Sequence, residues 1–200
     1  MDRDLDTQPT QVVPESAVPD SGKSGFRRII LDVLETLLIS AVLFLGINAI
    51  SARIRVDGFS MEPSLHTGEF VIVNKLAYRL GSPLRGDVVV FLFPRDPEQE
   101  YIKRVIGLPG EEITISNGQV RVNGKALDEA YILKSPLYSG TWKVPDNQLF
   151  VLGDNRNNSS DSHNWGFVPM EYVIGKAVFV YWPPEDWGII AHIPPDVASP

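Results

Sequence analysis

The feature that most constrains this chain is an apolar segment near its N-terminus, residues 29–50. As a helix it would be about 33 Å long, against about 30 Å of bilayer hydrocarbon. Asp32 and Glu35 lie three residues apart in its first turns, near the positive end of the helix dipole, where they can reach headgroup depth. From Leu37 onward the segment is apolar around its whole circumference, which is typical of a helix in lipid. We therefore predict a retained membrane anchor over residues 27–52.

Two alternatives to an anchor are a buried core helix and a cleaved signal peptide. A mostly β domain of this size rarely needs so uniformly apolar a core helix. Residues 49–51 form a small-x-small site, but the leader before the segment is acidic and the apolar run exceeds the usual length of a signal peptide. Basic residues stand on both sides of the segment, so the positive-inside bias is weak and leans towards a cytoplasmic N-terminus.

Composition limits what the rest of the chain can do. Residues 1–26 are rich in Asp, Glu and Pro, which predicts a disordered cytoplasmic tail. The formal net charge of −7, without a run of Lys and Arg, argues against nucleic acid as a partner. The chain has no cysteine, which excludes disulfides, thiolate metal sites and a cysteine nucleophile.

The pattern after the apolar segment is that of strands. Short apolar runs bounded by Gly, Pro, Asn or Asp occur at residues 70–73, 88–93, 149–152 and 177–181. Asn117-Gly118 separates two short alternating runs, which is a strong hairpin signal. No helix of convincing length follows Ala52. We predict an all-β domain over residues 53–182, followed by a Pro-rich loop tail over residues 183–200.

Ser60 is the candidate nucleophile. It lies in a turn in which Gly58 frees the backbone and Pro63 fixes a bend, so its hydroxyl can be presented at a loop edge. Its backbone N–H would then be available to an oxyanion. The same residues are also typical of an ordinary turn without a catalytic role. A serine hydroxyl needs a nearby base before it can act as a nucleophile.

A base for Ser60 is not obvious among the histidines, which are His66, His163 and His192. Ser60 does not lie in Gly-x-Ser-x-Gly, so the α/β-hydrolase pattern is missing. His66 flanks a Thr-Gly turn and is interpreted as an exposed loop residue.

Lys103 is the candidate base. In a strand it shares one face with Tyr101 and Val105, and apolar neighbours lower the pKa of an amine. The alternatives are an edge-strand lysine that discourages aggregation, and Lys75 as a rival base beside a turn. Arg104 cannot be the base because a guanidinium does not deprotonate in proteins, so we interpret it as half of an ion pair.

A dense polar loop, residues 153–162, follows the strand at 149–152. It does not fit a calcium loop that starts at Asp154, because the sixth position is not Gly and the twelfth is Trp165. Two interpretations remain. The loop is a solvated turn, or Ser159 or a neighbour hydrogen-bonds the lysine and orients it.

Three blocks of sequence, in order behind the apolar segment, resemble the conserved boxes of the type I signal peptidases. They are residues 60–65, residues 85–91 with 103–110, and residues 153–162. The resemblance covers about residues 53–181. It implies a signal-peptidase-like all-β catalytic domain behind one transmembrane helix. It also implies a Ser/Lys endopeptidase that removes signal peptides from exported preproteins on the trans side of a bacterial plasma membrane, without metal or cofactor.

The resemblance also implies roles for single residues. Ser60 resembles the nucleophile, Lys103 the general base and Ser159 the hydroxyl that positions the lysine. Arg104 with Asp154, and also Asp161, resemble structural charges around the site. The apolar positions that resemble the lining of shallow pockets for small substrate side chains, with ordinary core as their alternative, are Ile54, Val56, Met61, Leu65, Val71, Val90 and Ile102.

Two positions depart from the pattern of the family. Gly58 stands where some members carry a serine whose hydroxyl helps the oxyanion hole, which leaves more of that task to the Ser60 N–H. His163 stands where many members have an arginine, which leaves the partner of Asp161 open.

Two other functions stay open on the sequence. One is a non-catalytic, membrane-anchored β domain that binds a protein partner through the polar loop. The other is a soluble, self-cleaving Ser/Lys peptidase of the repressor type. The segment at residues 29–50 and the lack of a DNA-binding domain argue against the second.

Overall fold

The computed structural model describes residues 22–192, so most of the predicted disordered tail and residues 193–200 lie outside the described part. The first element is the helix α1 (Gly22–Ile50), which begins before the predicted anchor and ends just inside it. Its stretch Gly25–Ile50 is long and apolar enough for a single membrane span. All side chains from Phe26 to Ile50 are exposed. This exposure contradicts a buried core helix and fits a membrane anchor.

The rest of the described chain is mostly β-structure, as predicted. Its strands are β1 (Ser51–Arg55), β2 (Phe70–Asn74), β3 (Val88–Phe93), β4 (Asp96–Gly107), β5 (Glu112–Ser116), β6 (Gln119–Val122), β7 (Lys125–Ala126), β8 (Gly140–Lys143), β9 (Gln148–Leu152), β10 (Val168–Pro169), β11 (Val173–Trp182) and β12 (Gly188–Ile189). A short helix, α2 (Ser162–Trp165), lies between β9 and β10.

Within the described residues the strands form a larger and a smaller antiparallel sheet. The larger has the order β1-β2-β11-β3-β4-β9-β10, with β12 paired to β11. The smaller has the order β7-β6-β5-β8. Because four antiparallel steps separate β1 from β4 in the larger sheet, these two strands run in the same direction.

The continuous apolar run of β3 is covered on both faces over residues 88–91. In β3, Val88 and Val90 pack in one core cluster, whereas Val89 and Phe91 pack in another. All four side chains are fully buried. A strand covered on both sides has no solvent face on which to place polar residues, which explains why its sequence does not alternate.

The hairpin predicted at Asn117-Gly118 joins β5 to β6. Asn117 has φ of 50° and Gly118 has φ of 75°, and positive values at both central residues are those that a two-residue type I′ turn requires. Ser116 pairs with Gln119 across this turn. The local signal in the sequence was therefore sufficient to place this hairpin.

The prediction of a loop from Pro183 onward is corrected by the structure. Residues Pro184–Asp186 form a 3-10 turn and β12 then pairs with β11. Ile190 follows with only 5% of its surface exposed and belongs to a core cluster. The two prolines of the Trp-Pro-Pro sequence concealed this return to the sheet, because Pro-rich sequence usually marks a loop.

β1 and the first part of β4 each have a free edge in the larger sheet. β1 is the terminal strand of the sheet order. β4 pairs with β9 only over residues 104–107, so its earlier part has β3 on one side and no strand on the other within the described residues.

Candidate active site

The two free edges border a cleft of about 800 Å³. One wall comes from β1 and the turn that follows it, and the other comes from residues 99–103 of β4. Ser60 and Lys103 both line this cleft, together with Asn158 and Ser160 of the polar loop. β1 and β4 run in the same direction along the two walls. The chain of β1 leads to Ser60, and β4 contains Lys103.

Ser60 is held in its turn by the polar loop and by the core. The Asn155 N–H donates to the Ser60 carbonyl at 3.0 Å, and the Asn155 side-chain amide donates to the Phe59 carbonyl at 3.0 Å. The next residue, Met61, is 1% exposed. The turn is therefore fixed from both sides, while the Ser60 hydroxyl faces the cleft.

Lys103 meets Ser60 in the cleft. Its Nζ lies 2.8 Å from Ser60 Oγ and donates a second hydrogen bond to the Ile102 carbonyl at 2.9 Å. The residue is 4% exposed. Burial lowers the pKa of the Lys103 amine to about 8, although Asp161 and Asp154 act in the opposite direction. At pH 7 about a tenth of this amine is therefore neutral, and the neutral fraction increases with pH.

The rival bases lie elsewhere. His66 pairs with Glu69, and His192 Nδ1 accepts a hydrogen bond from the Val88 N–H. Lys75 is not among the residues that line the cleft. Within residues 22–192, the Ser60 hydroxyl has a hydrogen bond only with Lys103.

The Ser60 N–H has no protein acceptor within residues 22–192, so it is available to a ligand oxygen. The Gly58 N–H, in contrast, donates to Thr67 Oγ1 at 3.0 Å. Gly58 has φ of 91°, a conformation in which any residue with a side chain is strained. A serine at position 58 would therefore require a different backbone conformation in this turn.

Arg104 forms a buried, bidentate ion pair with Asp154. Its Nε and Nη2 donate to the two carboxylate oxygens at 2.8 and 2.7 Å, and the two side chains are 1% and 0% exposed. Arg104 Nη1 donates to the Gly86 and Ala191 carbonyls, and its guanidinium lies 4.2 Å from the Tyr131 ring centroid. The pair thus joins β4, the polar loop and the C-terminal segment.

We expect Asp154→Ala to lower the free energy of unfolding by about 3–5 kcal/mol, because it leaves the buried Arg104 charge without a partner. Urea unfolding of the detergent-solubilised protein, followed by tryptophan fluorescence, measures this change. Asp146→Ala is the matched control, since Asp146 is exposed. An equal loss in both variants would contradict the importance of the ion pair.

The partner of Asp161, which the sequence left open, is His163. Asp161 Oδ1 lies 2.6 Å from His163 Nδ1, and Oδ2 accepts from the Gly153 N–H at 3.0 Å. The His163 ring stacks on Tyr138, with centroids 3.7 Å apart and planes 8° from parallel. The histidine therefore supplies the hydrogen bond, and the stacking fixes the ring.

The structure does not show the hydrogen bond predicted between Ser159 and Lys103. Ser159 Oγ is buried and has no hydrogen-bond partner within the described chain. It packs against Gly153, where an added Cβ would collide with Ser159 Oγ and with the Ser60 carbonyl. Ser159 thus lies beside the nucleophile turn, and its orienting role stays a prediction.

Only part of the predicted apolar lining borders the cleft. Ile54 and Ile102 do so. The other five side chains are at most 2% exposed and pack in the core cluster behind the cleft, which corrects the prediction that they form its surface; they are Val56, Met61, Leu65, Val71 and Val90. Strand periodicity predicts on which face of the sheet a side chain lies, but it does not predict whether other residues cover that face.

Several supporting residues were missed at the level of sequence. Asn155 holds the nucleophile turn, and Arg156 forms a bidentate ion pair with Glu129 at 2.7 and 2.6 Å. The Tyr131 hydroxyl also donates to Glu129. Asn155 and Arg156 lie in the polar block, but nothing in their spacing indicated that Glu129 or Ser60 would be their partners.

A serine hydroxyl beside a buried amine of lowered pKa, in an open cleft, is an arrangement capable of nucleophilic hydrolysis. Comparison with known proteins identifies the class. The sequence model of the family described as "Signal peptidase, peptidase S26" matches residues 30–182. The chain is therefore a peptidase, and it belongs to the signal peptidase family S26.

Individual relatives agree with this assignment. "Probable signal peptidase I-2" of Synechocystis sp. is 46% identical over 167 residues, which cover 80% of this chain and 77% of that protein. "Signal peptidase I" of Leptolyngbya laminosa is 40% identical over 195 residues, covering 93% of this chain and 96% of that protein. A crystal structure of a signal peptidase I from Enterococcus faecalis V583 is 34% identical, with a TM-score of 0.45, and covers 48% of this chain and 96% of that one. The family model and the two relatives confirm the resemblance inferred from the sequence blocks.

Proposed function

We propose that this chain is a membrane-anchored serine endopeptidase that cleaves N-terminal signal peptides from exported preproteins. Ser60 is the nucleophile and Lys103 the general base. The observation that carries the proposal is the distance of 2.8 Å between Lys103 Nζ and Ser60 Oγ in the cleft. The substrate class is supported by the relatives, which are named signal peptidase I.

The preprotein binds as an extended segment in the cleft. The free edges of β1 and β4 offer unpaired backbone groups to such a segment, as in the addition of a strand to a sheet. Ile54, which is partly buried, and Ile102, which is 8% exposed, supply apolar surface on the two walls. Shallow apolar contacts of this kind favour small side chains before the scissile bond.

The mechanism follows from the positions of the hydroxyl and the amine. Ser60 Oγ attacks the scissile carbonyl carbon while its proton passes to neutral Lys103 Nζ. The Ser60 N–H donates to the resulting oxyanion. The lysine then gives its proton to the departing amine, which leaves an acyl-enzyme. A water molecule, deprotonated by Lys103, hydrolyses this ester and restores the Ser60 hydroxyl.

The supporting groups keep the lysine in place. The Ile102 carbonyl accepts one amine hydrogen, and the Arg104–Asp154 ion pair fixes the next residue of β4. Ser159 keeps its proposed role as the orienting hydroxyl, because its buried Oγ lies beside the nucleophile turn and has no other partner in the described chain.

The proposed site of action is the extracytoplasmic side of a bacterial plasma membrane, with the N-terminal tail in the cytoplasm. The apolar helix holds the enzyme at the bilayer through which its substrates pass. Holding both partners at one surface raises their effective concentration.

The direct test is cleavage of a preprotein by the full chain reconstituted in lipid vesicles. We expect one cut after an Ala-x-Ala-like sequence, identified by the N-terminal sequence of the product. The alternative of a non-catalytic, partner-binding domain predicts binding without a cut. Failure to cleave any such preprotein would contradict the proposal.

The pH dependence of this cleavage tests Lys103 as the base. Because the neutral amine is the active form and its pKa is about 8, kcat/KM must rise with pH and level off above the pKa. We expect an increase of about tenfold between about pH 7 and about pH 9. A flat profile, or one that decreases over this range, would contradict a lysine base.

A further inference from the structure

The segment between β7 and β8 of the smaller sheet exposes two leucines. We call residues 133–137 the leucine loop. Leu133 is 75% exposed and Leu137 is 89% exposed. Exposed apolar side chains are common, so the location of these two leucines, and not their exposure alone, carries the argument.

The leucine loop is fixed at both ends and in its middle. Before it, Tyr131 is 7% exposed and its ring lies against the Arg104 guanidinium. After it, Tyr138 stacks on His163. In the middle, the Asn157 side chain accepts from the Leu137 N–H at 2.8 Å and donates to the Ser135 carbonyl at 2.9 Å. The loop therefore presents its leucines from a defined backbone.

Two observations connect the leucine loop with the surroundings of Ser60. Leu133 and Lys134 line a hollow of about 220 Å³ together with Glu62, which is two residues after Ser60. At its other end, the loop is bonded to Asn157, whose neighbour Asn158 lines the catalytic cleft. The loop thus reaches both chain segments that flank the nucleophile.

We propose that the leucine loop binds the part of the substrate that follows the scissile bond, and that it recognises an apolar side chain there. This inference rests on the proposed function. The cleft between β1 and β4 holds the residues before the bond, so the chain after the bond must continue past Ser60, where Glu62, Asn158 and the leucine loop lie. Burial of a substrate side chain against Leu133 and Leu137 supplies the binding free energy.

Two synthetic peptides test the proposal. They share all residues through the first one after the scissile bond. The short peptide ends there as an amide, and the long peptide continues for several residues that include leucine. The full chain in detergent is expected to cleave the long peptide with a kcat/KM about tenfold higher, which is the low end of what an apolar contact contributes to discrimination. The double variant Leu133→Ser/Leu137→Ser is expected to lose this advantage on the long peptide.

The matched control is Leu80→Ser/Leu84→Ser, because these leucines are 88% and 64% exposed and lie on the loop after β2. This variant should keep the preference for the long peptide. The inference about the leucine loop would be wrong if the parent protein cleaved the two peptides with equal kcat/KM. It would also be wrong if the Leu133/Leu137 variant lost the same factor in kcat/KM on both peptides. Neither result would contradict the proposed function. The second result would indicate a contact with another copy or a purely structural role. If the parent cleaves neither peptide nor a preprotein, the proposed function fails first.

Discussion

Ser60→Ala is expected to reduce preprotein cleavage by about 10⁴-fold or more, because no acyl-enzyme can form without the hydroxyl. The fold should be unaffected, since the hydroxyl hydrogen-bonds only to Lys103 within the described residues. Cleavage by the reconstituted full chain, with product formation followed over long incubations, measures the effect. The residual rate reports what the oxyanion donor and substrate binding contribute without the nucleophile.

Ser82→Ala is the control for this substitution. Ser82 is an exposed serine on the loop after β2 and does not line the cleft. We expect its variant to cleave at the rate of the parent protein. Normal cleavage by Ser60→Ala would show that the nucleophile lies elsewhere, whatever the geometry of the cleft.

Lys103→Met is expected to lower kcat by about 10³-fold to 10⁴-fold, because it removes the proton acceptor beside Ser60 while keeping an unbranched side chain of similar length. The buried methionine should leave the protein at least as stable, since an amine that is costly to desolvate is replaced by an apolar group. Single-turnover cleavage and urea unfolding separate these two effects.

Two further lysine variants sharpen the test of the base. Lys103→Arg should also be inactive, because a guanidinium stays protonated. Lys75→Met should be active, since Lys75 does not line the cleft. The opposite pattern, with activity retained in Lys103→Met and lost in Lys75→Met, would make Lys75 the base.

The sequence predicted the parts of this fold that local patterns determine. The continuous apolar run at Val88–Phe93 became a strand covered on both faces, and Asn117-Gly118 became a tight hairpin turn. Both depend on residues that are neighbours in the chain. Chemistry singled out Ser60 and Lys103 as candidates, because a serine in a turn requires a proton acceptor and Lys103 lies on an apolar strand face. The resemblance to the signal peptidases then implied their roles.

Features that depend on contacts between distant residues were not predictable in this way. Glu129 pairs with Arg156, and Asn155 holds the turn of Ser60, although the sequence contains no local sign of either contact. Val71 and Val90 were expected at the cleft surface and lie in the core, because alternation in a strand defines a face and says nothing about what covers it. The return of Ile190 to the core depends on a two-residue strand, which is too short to leave a periodic signal.

That return has a consequence for biosynthesis. The Ala191 carbonyl accepts a hydrogen bond from Arg104, and Ile190 closes the core cluster that contains Met61. The ribosome must therefore translate residues 190 and 191 before the neighbourhood of Lys103 can reach its final form. Because the apolar helix is translated first, we expect it to enter the bilayer before this neighbourhood is complete.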